Sequence, residues 1–122
     1  MQPGDIYRIR MYYSDGIKPK GSDAYRYKYI IIAGFDGNNL YGVVSTNTRD
    51  HHLVPAEFQY PLKHDGYHCY VNCYQLHQIS LARLTPDCYK GKISEDDVDL
   101  IIGCVKNSPL IPEKILKKFG II

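Results

Sequence analysis

Tryptophan is absent from this sequence of 122 residues, and phenylalanine and methionine are scarce, with three and two copies. No apolar run approaches the ~20 residues that a membrane-spanning helix needs, since the longest stretches cover only 29–34 and 100–105. The first residues contain no apolar signal region, so we expect a cytoplasmic protein with no membrane partner. A nucleophile elbow, a Ser-His-Asp order, a phosphate-cradling loop and a dinucleotide fingerprint are also missing, which argues against these enzyme classes.

The sequence has four cysteines but no Cys-x-x-Cys pair. Cys69 and Cys73 lie four residues apart on a predicted strand, hence about 13 Å apart, which is too far for a disulfide. We therefore expect reduced and mostly buried thiols. The five histidines do not complete a zinc site, because His64 and His68 span a turn rather than one helical face and no set of four ligands emerges. We expect no metal and no other cofactor.

The composition is otherwise ordinary for a globular domain, with 44% apolar and 23% charged residues. It excludes a disordered tail, a collagen-like repeat and a coiled coil, and the length fits a single domain over residues 1–122. Tyrosine, with twelve copies, is the exception, and it suits half-buried strands as well as surfaces that stack on bases. Charge is uneven: residues 8–28 carry six basic and two acidic side chains, a net +4, whereas the rest carries nine and eleven, a net −2.

Alternation of apolar and polar residues predicts strands in the first two thirds of the chain. The predicted strands cover residues 7–13, 27–33, 40–46 and 67–79, with turns at 36–39 and 65–66 and a long polar connection at 14–23. Pro55 and Pro61 restrict residues 53–60 to an edge strand or a short strand.

The pattern changes to a helical period after Ser94, a predicted helix cap that is followed by three acidic residues. The apolar residues that recur with this period, and that we expect to face the core, are Val98, Ile101, Ile102 and Val105. A last short helix is predicted from Pro112 to Phe119. The sequence therefore predicts a mainly β fold of the α+β class, a small antiparallel β-barrel followed by a C-terminal helix and a short terminal helix.

The basic segment alternates cations with tyrosines on two predicted strands. Cations for phosphates beside aromatic faces for bases are what a groove for single-stranded nucleic acid requires. The alternative is a solvated strand face on which the tyrosines pack across the strands. The sequence pattern alone leaves both interpretations open.

Several short motifs, in the same order along the chain, resemble the MazF/PemK/Kid family, the toxins of bacterial toxin–antitoxin pairs. They are Gly-Asp-Ile-Tyr at 4–7, Lys-Tyr-Ile-Ile-Ile at 28–32, Val-Val-Ser-Thr at 43–46, Val-Asn-Cys-Tyr-Gln-Leu-His-Gln-Ile at 71–79 and Ala-Arg-Leu at 82–84. The resemblance implies an SH3-like barrel, a homodimer, a cognate antitoxin as partner and single-stranded RNA as substrate. It also implies an endoribonuclease that cleaves through the 2′-hydroxyl without a metal, by general acid–base catalysis.

The chain departs from the family at catalytic positions. Lys28 stands where the family has an arginine, which keeps the charge and loses the bidentate fork. Tyr74 replaces a family acid, and Asn72 replaces an arginine that is catalytic in the Kid branch. Thr46 best matches a hydroxyl that the MazF branch uses, and His77 offers a group that titrates near neutrality.

The resemblance therefore predicts Lys28 and Thr46 as catalytic residues, and we add His77 for proton transfer because the ordinary pKa of histidine lies near neutrality. The residues expected to bind RNA are Arg8, Arg10, Lys18, Lys20, Arg26, Tyr27 and Tyr74. The alternative function is a catalytically inactive barrel of the same family that binds RNA or a protein partner, with Thr46 an ordinary strand hydroxyl and His77 a surface histidine at a strand end.

Overall fold

The structure, a computed structural model, describes residues 1–46, 54–64 and 67–122. The predicted turn at 65–66 lies outside the described residues, as do His51 and His52. The strands are β1 (Asp5–Tyr12), β2 (Tyr25–Asp36), β3 (Asn39–Thr46), β4 (Gln59–His64), β5 (Tyr67–Asn72), β6 (His77–Ser80) and β7 (Tyr89–Lys92), and the helices are α1 (Glu95–Lys106) and α2 (Glu113–Lys118).

The described strands form one antiparallel sheet in the order β4-β5-β3-β2-β1-β7, and β6 also pairs with β3. The predicted mainly β class with two helices after the sheet is therefore confirmed. Closure into a barrel is not seen, because among the described residues β4 and β7 each pair on one side only. Neither α1 nor α2, the helices of the described residues, is long and apolar enough to cross a membrane.

The strand predicted over 67–79 is in fact two strands that meet different parts of β3. β5 pairs with the end of β3, and β6 pairs with its beginning. Between them the Asn72 side chain accepts a hydrogen bond from the Tyr74 N–H at 2.9 Å, and the Cys73 N–H donates to the Phe58 carbonyl at 2.9 Å. These hydrogen bonds interrupt the strand, because the backbone N–H groups that they satisfy would otherwise pair with a neighbouring strand.

Two other strands differ from the sequence analysis, one in its bounds and one in not having been predicted. The strand predicted at 53–60 begins only at Gln59, after a single 3-10 turn at Ala56–Phe58, and it continues through Pro61 to His64. β4 lies at the edge of the sheet, where a proline is tolerated because the missing N–H breaks no inner ladder. β7, a four-residue strand with glycine and lysines, has no alternating apolar pattern and was not predicted.

The core fills both faces of β2. Ile31 belongs to the apolar cluster under the helices, whereas Ile30 and Ile32 belong to a second cluster with the inward side chains of β1. The predicted helix cap is confirmed, because the Ser94 hydroxyl accepts a hydrogen bond from the Asp97 N–H at 3.1 Å. The predicted apolar stripe of α1 packs against the cluster under the helices, with Val105 fully buried.

The C-terminal segment docks on β2 at a position that only glycine can occupy. The Phe35 N–H donates to the Phe119 carbonyl at 3.0 Å, and the ring of Phe119 stacks on Tyr41 with centroids 3.6 Å apart. A Cβ at Gly34 would lie 2.2 Å from the same Phe119 carbonyl oxygen. The close approach of the two backbones therefore depends on the missing side chain.

We expect Gly34→Ala to lower the free energy of unfolding by about 1–3 kcal/mol or more, because the added methyl group overlaps backbone atoms that cannot rotate away. Gly103→Ala is the matched control. A Cβ at Gly103 has no atom within 4 Å, and alanine favours a helix interior over glycine by up to ~1 kcal/mol, so this variant should be more stable. Urea unfolding of both variants measures the two effects, and equal stability of the two would contradict the packing described.

Candidate functional site

The register of β1 and β2 divides the basic segment between two faces of the sheet. Arg10 lies opposite Tyr27, so these two side chains share a face. The next pair, Ile9 with Lys28, lies on the other face because successive side chains of a strand alternate. One face therefore carries Arg8, Arg10 and Tyr27, and the other carries Arg26 and Lys28.

The face that carries Lys28 forms the wall of a cavity of about 280 Å³, which we call the lysine–histidine cavity. Its charged and polar lining consists of Lys18, Arg26, Lys28, Gln59, Asn72, Gln75 and His77. Strands β2, β4 and β6, the long connection after β1 and the break between β5 and β6 each contribute to it. The structure therefore brings two of the three predicted catalytic residues, Lys28 and His77, into one site.

Lys28 is half-buried, and its Nζ donates to the carbonyl oxygen of Ser45 at 3.5 Å. Burial lowers the pKa of Lys28, and the neighbouring charges of Arg26 and Lys20 lower it further. The ammonium is thus partly stripped of water and surrounded by like charge. Such a group binds an anion more strongly than a solvated lysine does, and it also releases a proton more readily.

His77 is only 6% exposed, and the structure determines its tautomer. Nδ1 lies 2.8 Å from the carbonyl oxygen of Asp15, and because a carbonyl oxygen can only accept, Nδ1 carries the proton. Nε2 is buried and has no hydrogen-bond partner among the described residues. Burial lowers the pKa of His77, the positive charge of Lys28 also lowers it, and Asp15 opposes both effects. The imidazole is therefore neutral at pH 7, with a lone pair on Nε2.

The carbonyl that orients His77 belongs to a single 3-10 turn, Tyr13–Asp15, which Arg83 holds in place. The Arg83 guanidinium donates to both carboxylate oxygens of Asp15 at 2.8 and 2.9 Å, and to the Arg10 carbonyl at 2.7 Å. These hydrogen bonds lower the pKa of Asp15, which also accepts from the Tyr12 N–H at 2.8 Å. Sequence reasoning missed the roles of Asp15 and Arg83, because no spacing in the chain indicates a pair 68 residues apart.

Gln59 is the other residue of the cavity that sequence reasoning missed. It is 7% exposed, and its Nε2 donates to the Val54 carbonyl at 2.7 Å. Its Oε1 is buried and has no hydrogen-bond partner in the described part of the chain. A buried glutamine at the start of an edge strand departs from the usual burial of apolar residues, and this burial is visible only in the structure.

The opposite face of β1 and β2 forms a shallow groove of about 430 Å³ with Arg83 and Lys90 at its side, the arginine–tyrosine groove. The Arg8 guanidinium lies 4.1 Å from the ring centroid of Tyr27, and that of Arg10 lies 4.8 Å from the centroid of Tyr25. Arg10 Nε also donates to the Tyr27 hydroxyl at 3.1 Å. An arginine thus already lies over one face of each of these two rings, although Tyr27 stays 44% exposed, and these contacts favour cross-strand packing on this surface.

The remaining residues predicted for the site do not line the lysine–histidine cavity, or their side chains are outside the described part of the structure. Tyr74 packs its ring 5.1 Å from that of Phe58, next to the cluster under the helices. Lys20 is exposed in the connection after β1, and it reaches the cavity only through its charge on Lys28. Thr46 ends β3 opposite Tyr70, and its side chain lies outside the described part of the structure.

Neither a protein-family model nor a curated protein sequence matches this chain. The family resemblance of the short motifs therefore stays a prediction.

We expect the free energy of unfolding to decrease between about pH 7.5 and about pH 5.5. Unfolded His77 binds a proton at its ordinary pKa of ~6.5, whereas the lowered pKa of folded His77 keeps it neutral, so acid favours the unfolded state. In His77→Asn, which keeps an N–H donor for the Asp15 carbonyl, the decrease should be smaller by up to ~1.4 kcal/mol per pH unit.

Urea unfolding of both proteins at the two pH values measures this difference. The other four histidines are present in both, so the comparison isolates His77. The same pH dependence in both proteins would show that His77 titrates alike in the folded and unfolded states.

Proposed function

We propose that this protein is an endoribonuclease that cleaves single-stranded RNA without a metal, as a toxin of the MazF/PemK/Kid type. The observation that carries the proposal is the shared cavity of Lys28 and His77. A neutral imidazole with an unpartnered Nε2 and a half-buried ammonium line this one cavity. A proton acceptor and a positive charge within one cavity are two requirements for cleavage through the 2′-hydroxyl, and the third is a proton donor for the leaving oxygen.

In the proposed reaction, His77 Nε2 takes the proton of the ribose 2′-hydroxyl, and the 2′ oxygen attacks the adjacent phosphorus. The bond from phosphorus to the 5′ oxygen breaks, and the Lys28 ammonium, whose lowered pKa makes it a better donor, protonates the leaving oxygen. Lys18 and Arg26 add positive charge for the phosphate, and the resemblance assigns its hydroxyl contact to Thr46. The products are a 2′,3′-cyclic phosphate and a 5′-hydroxyl.

The size of the cavity favours single-stranded substrate. At about 280 Å³ it lies at the lower end of the range of ligand pockets, so it has room for about one nucleotide and none for a duplex. By its resemblance to the family, we further propose that the open sheet is of the SH3-like type, that the chain forms a homodimer and that a cognate antitoxin inhibits it.

We expect Lys28→Met and His77→Asn each to reduce the rate of RNA cleavage by about 10²-fold or more, because each removes one of the two catalytic functions. Cleavage by the unaltered protein should survive a chelator and leave a 2′,3′-cyclic phosphate. Sequencing of RNA ends and chromatography of the products measure both effects.

The matched control is Lys106→Met, which removes a charge of the same type at the exposed end of α1 and should cleave normally. If His77→Asn also cleaves normally while Lys28→Met is inactive, the proton acceptor is another group. Circular dichroism and urea unfolding confirm that each variant is folded.

We expect the rate of cleavage to depend on pH in a bell shape. The acid limb should lie below the ordinary pKa of histidine, ~6.5, and the alkaline limb below that of lysine, ~10.4. Activity rises as His77 loses its proton and falls as Lys28 loses its own, and burial lowers both pKa values. Single-turnover rates on one RNA oligonucleotide between about pH 4.5 and 10.5 measure the profile. An acid limb that is unchanged in His77→Asn would mean that the limb reports another group.

A second candidate function, binding of RNA without cleavage, is favoured by the structure around two family positions. The Asn72 side chain accepts from the Tyr74 N–H, and the Tyr74 ring packs on Phe58, so both replacements for catalytic residues serve the fold. Binding of single-stranded RNA that weakens with salt, in a protein that releases no RNA fragments, would establish this function instead.

A further inference from the structure

Two buried polar side-chain atoms among the described residues have no hydrogen-bond partner, and both residues line the lysine–histidine cavity. They are Gln59 Oε1 and His77 Nε2, on side chains that are more than nine-tenths buried. An unpaired buried acceptor is unfavourable because it has lost its hydrogen bonds to water and gained none in return. Two such atoms at one cavity therefore point to a ligand that brings hydrogen-bond donors.

Both atoms are held as acceptors by their own neighbours. Rotation of the Gln59 amide would turn Oε1 toward the Val54 carbonyl oxygen, which now accepts from Nε2 at 2.7 Å, so the present orientation is kept. His77 donates from Nδ1 to the Asp15 carbonyl, so its Nε2 accepts while the ring is neutral. The cavity thus combines two acceptors with the positive charges of Lys18, Arg26 and Lys28.

A nucleotide has this combination of groups in reverse: an anionic phosphate, a hydroxyl on the ribose and N–H donors on the base. We propose that the cavity binds one nucleotide whose base carries an exocyclic amino group, which donates to Gln59 Oε1 while the ribose 2′-hydroxyl donates to His77 Nε2. The assignment of the hydroxyl to His77 rests on the proposed function. The assignment of the base to Gln59 deepens it, because it states which bases the site accepts.

The preference for an amino group follows from the groups that flank the N–H donor on each base. Uracil offers one N–H, and a carbonyl oxygen flanks it on each side, so an approach to Gln59 Oε1 brings further acceptors toward that oxygen. The amino groups of guanine, adenine and cytosine project beyond the ring and offer two N–H bonds. A site with an unpaired acceptor discriminates strongly against a ligand that lacks the donor.

The experiment compares nucleoside 3′-monophosphates in pairs that differ only by the amino group, with affinities measured by calorimetry. The pairs are guanosine with inosine, adenosine with purine riboside, and cytidine with 2-pyrimidinone riboside. We expect at least one amino-bearing nucleotide to bind about tenfold or more tightly than its partner. Gln59→Met should remove this difference, and Gln78→Met, on the exposed side of β6, should keep it.

Equal affinities within all three pairs would overturn the inference, as would a difference that persists in folded Gln59→Met. If that variant does not fold, the comparison of ligand pairs on the unaltered protein decides alone. The result of this binding experiment is independent of the result of the RNA cleavage experiment. An amino preference without RNA cleavage keeps this inference and removes the nuclease, and cleavage without any amino preference does the reverse.

Discussion

The candidate site depends on one interaction, the two-pronged hydrogen bond from Arg83 to the carboxylate of Asp15. It holds the turn Tyr13–Asp15 against β6. The Asp15 carbonyl of that turn accepts a hydrogen bond from His77 Nδ1, which orients the ring and keeps the proton on Nδ1 rather than Nε2. Charge-assisted bonds in a planar fork are among the strongest and most directional in proteins. The tautomer of the buried His77 imidazole therefore depends on the ion pair between Arg83 and Asp15, on the other side of the turn.

The lysine–histidine cavity departs from the rules that the rest of the structure obeys. Like charges crowd around Lys28, and the buried acceptors of Gln59 and His77 lack partners among the described residues, whereas most other buried residues described are apolar. Each departure costs stability, and proteins keep such costs mostly where function requires them. The two helices and the cluster beneath them supply compensating apolar burial.

The arginine–tyrosine groove has the composition of a nucleic-acid surface, but its arginines and tyrosines already contact one another. Arg8 and Arg10 lie over tyrosine rings, and Arg10 is also hydrogen-bonded to Tyr27. In the groove the cationic and aromatic groups contact one another. In the cavity Gln59 Oε1 and His77 Nε2 have no partner among the described residues. Both surfaces carry positive charge, and they differ in whether their polar groups already have partners.

The sequence by itself determined the features that arise from neighbours along the chain: the mainly β class, the hairpin between β2 and β3, the Ser94 cap and the apolar stripe of α1. Local periodicity and capping chemistry are sufficient for these. It also indicated Lys28 and His77, through their motifs. Only the tertiary structure decided that β1 and β2 separate Arg10 from Lys28, that the segment after Tyr67 breaks into two strands, and that Asp15, Gln59 and Arg83 belong to the site. Register, strand pairing and buried hydrogen bonds join residues distant in the chain, and no local pattern encodes which of them meet.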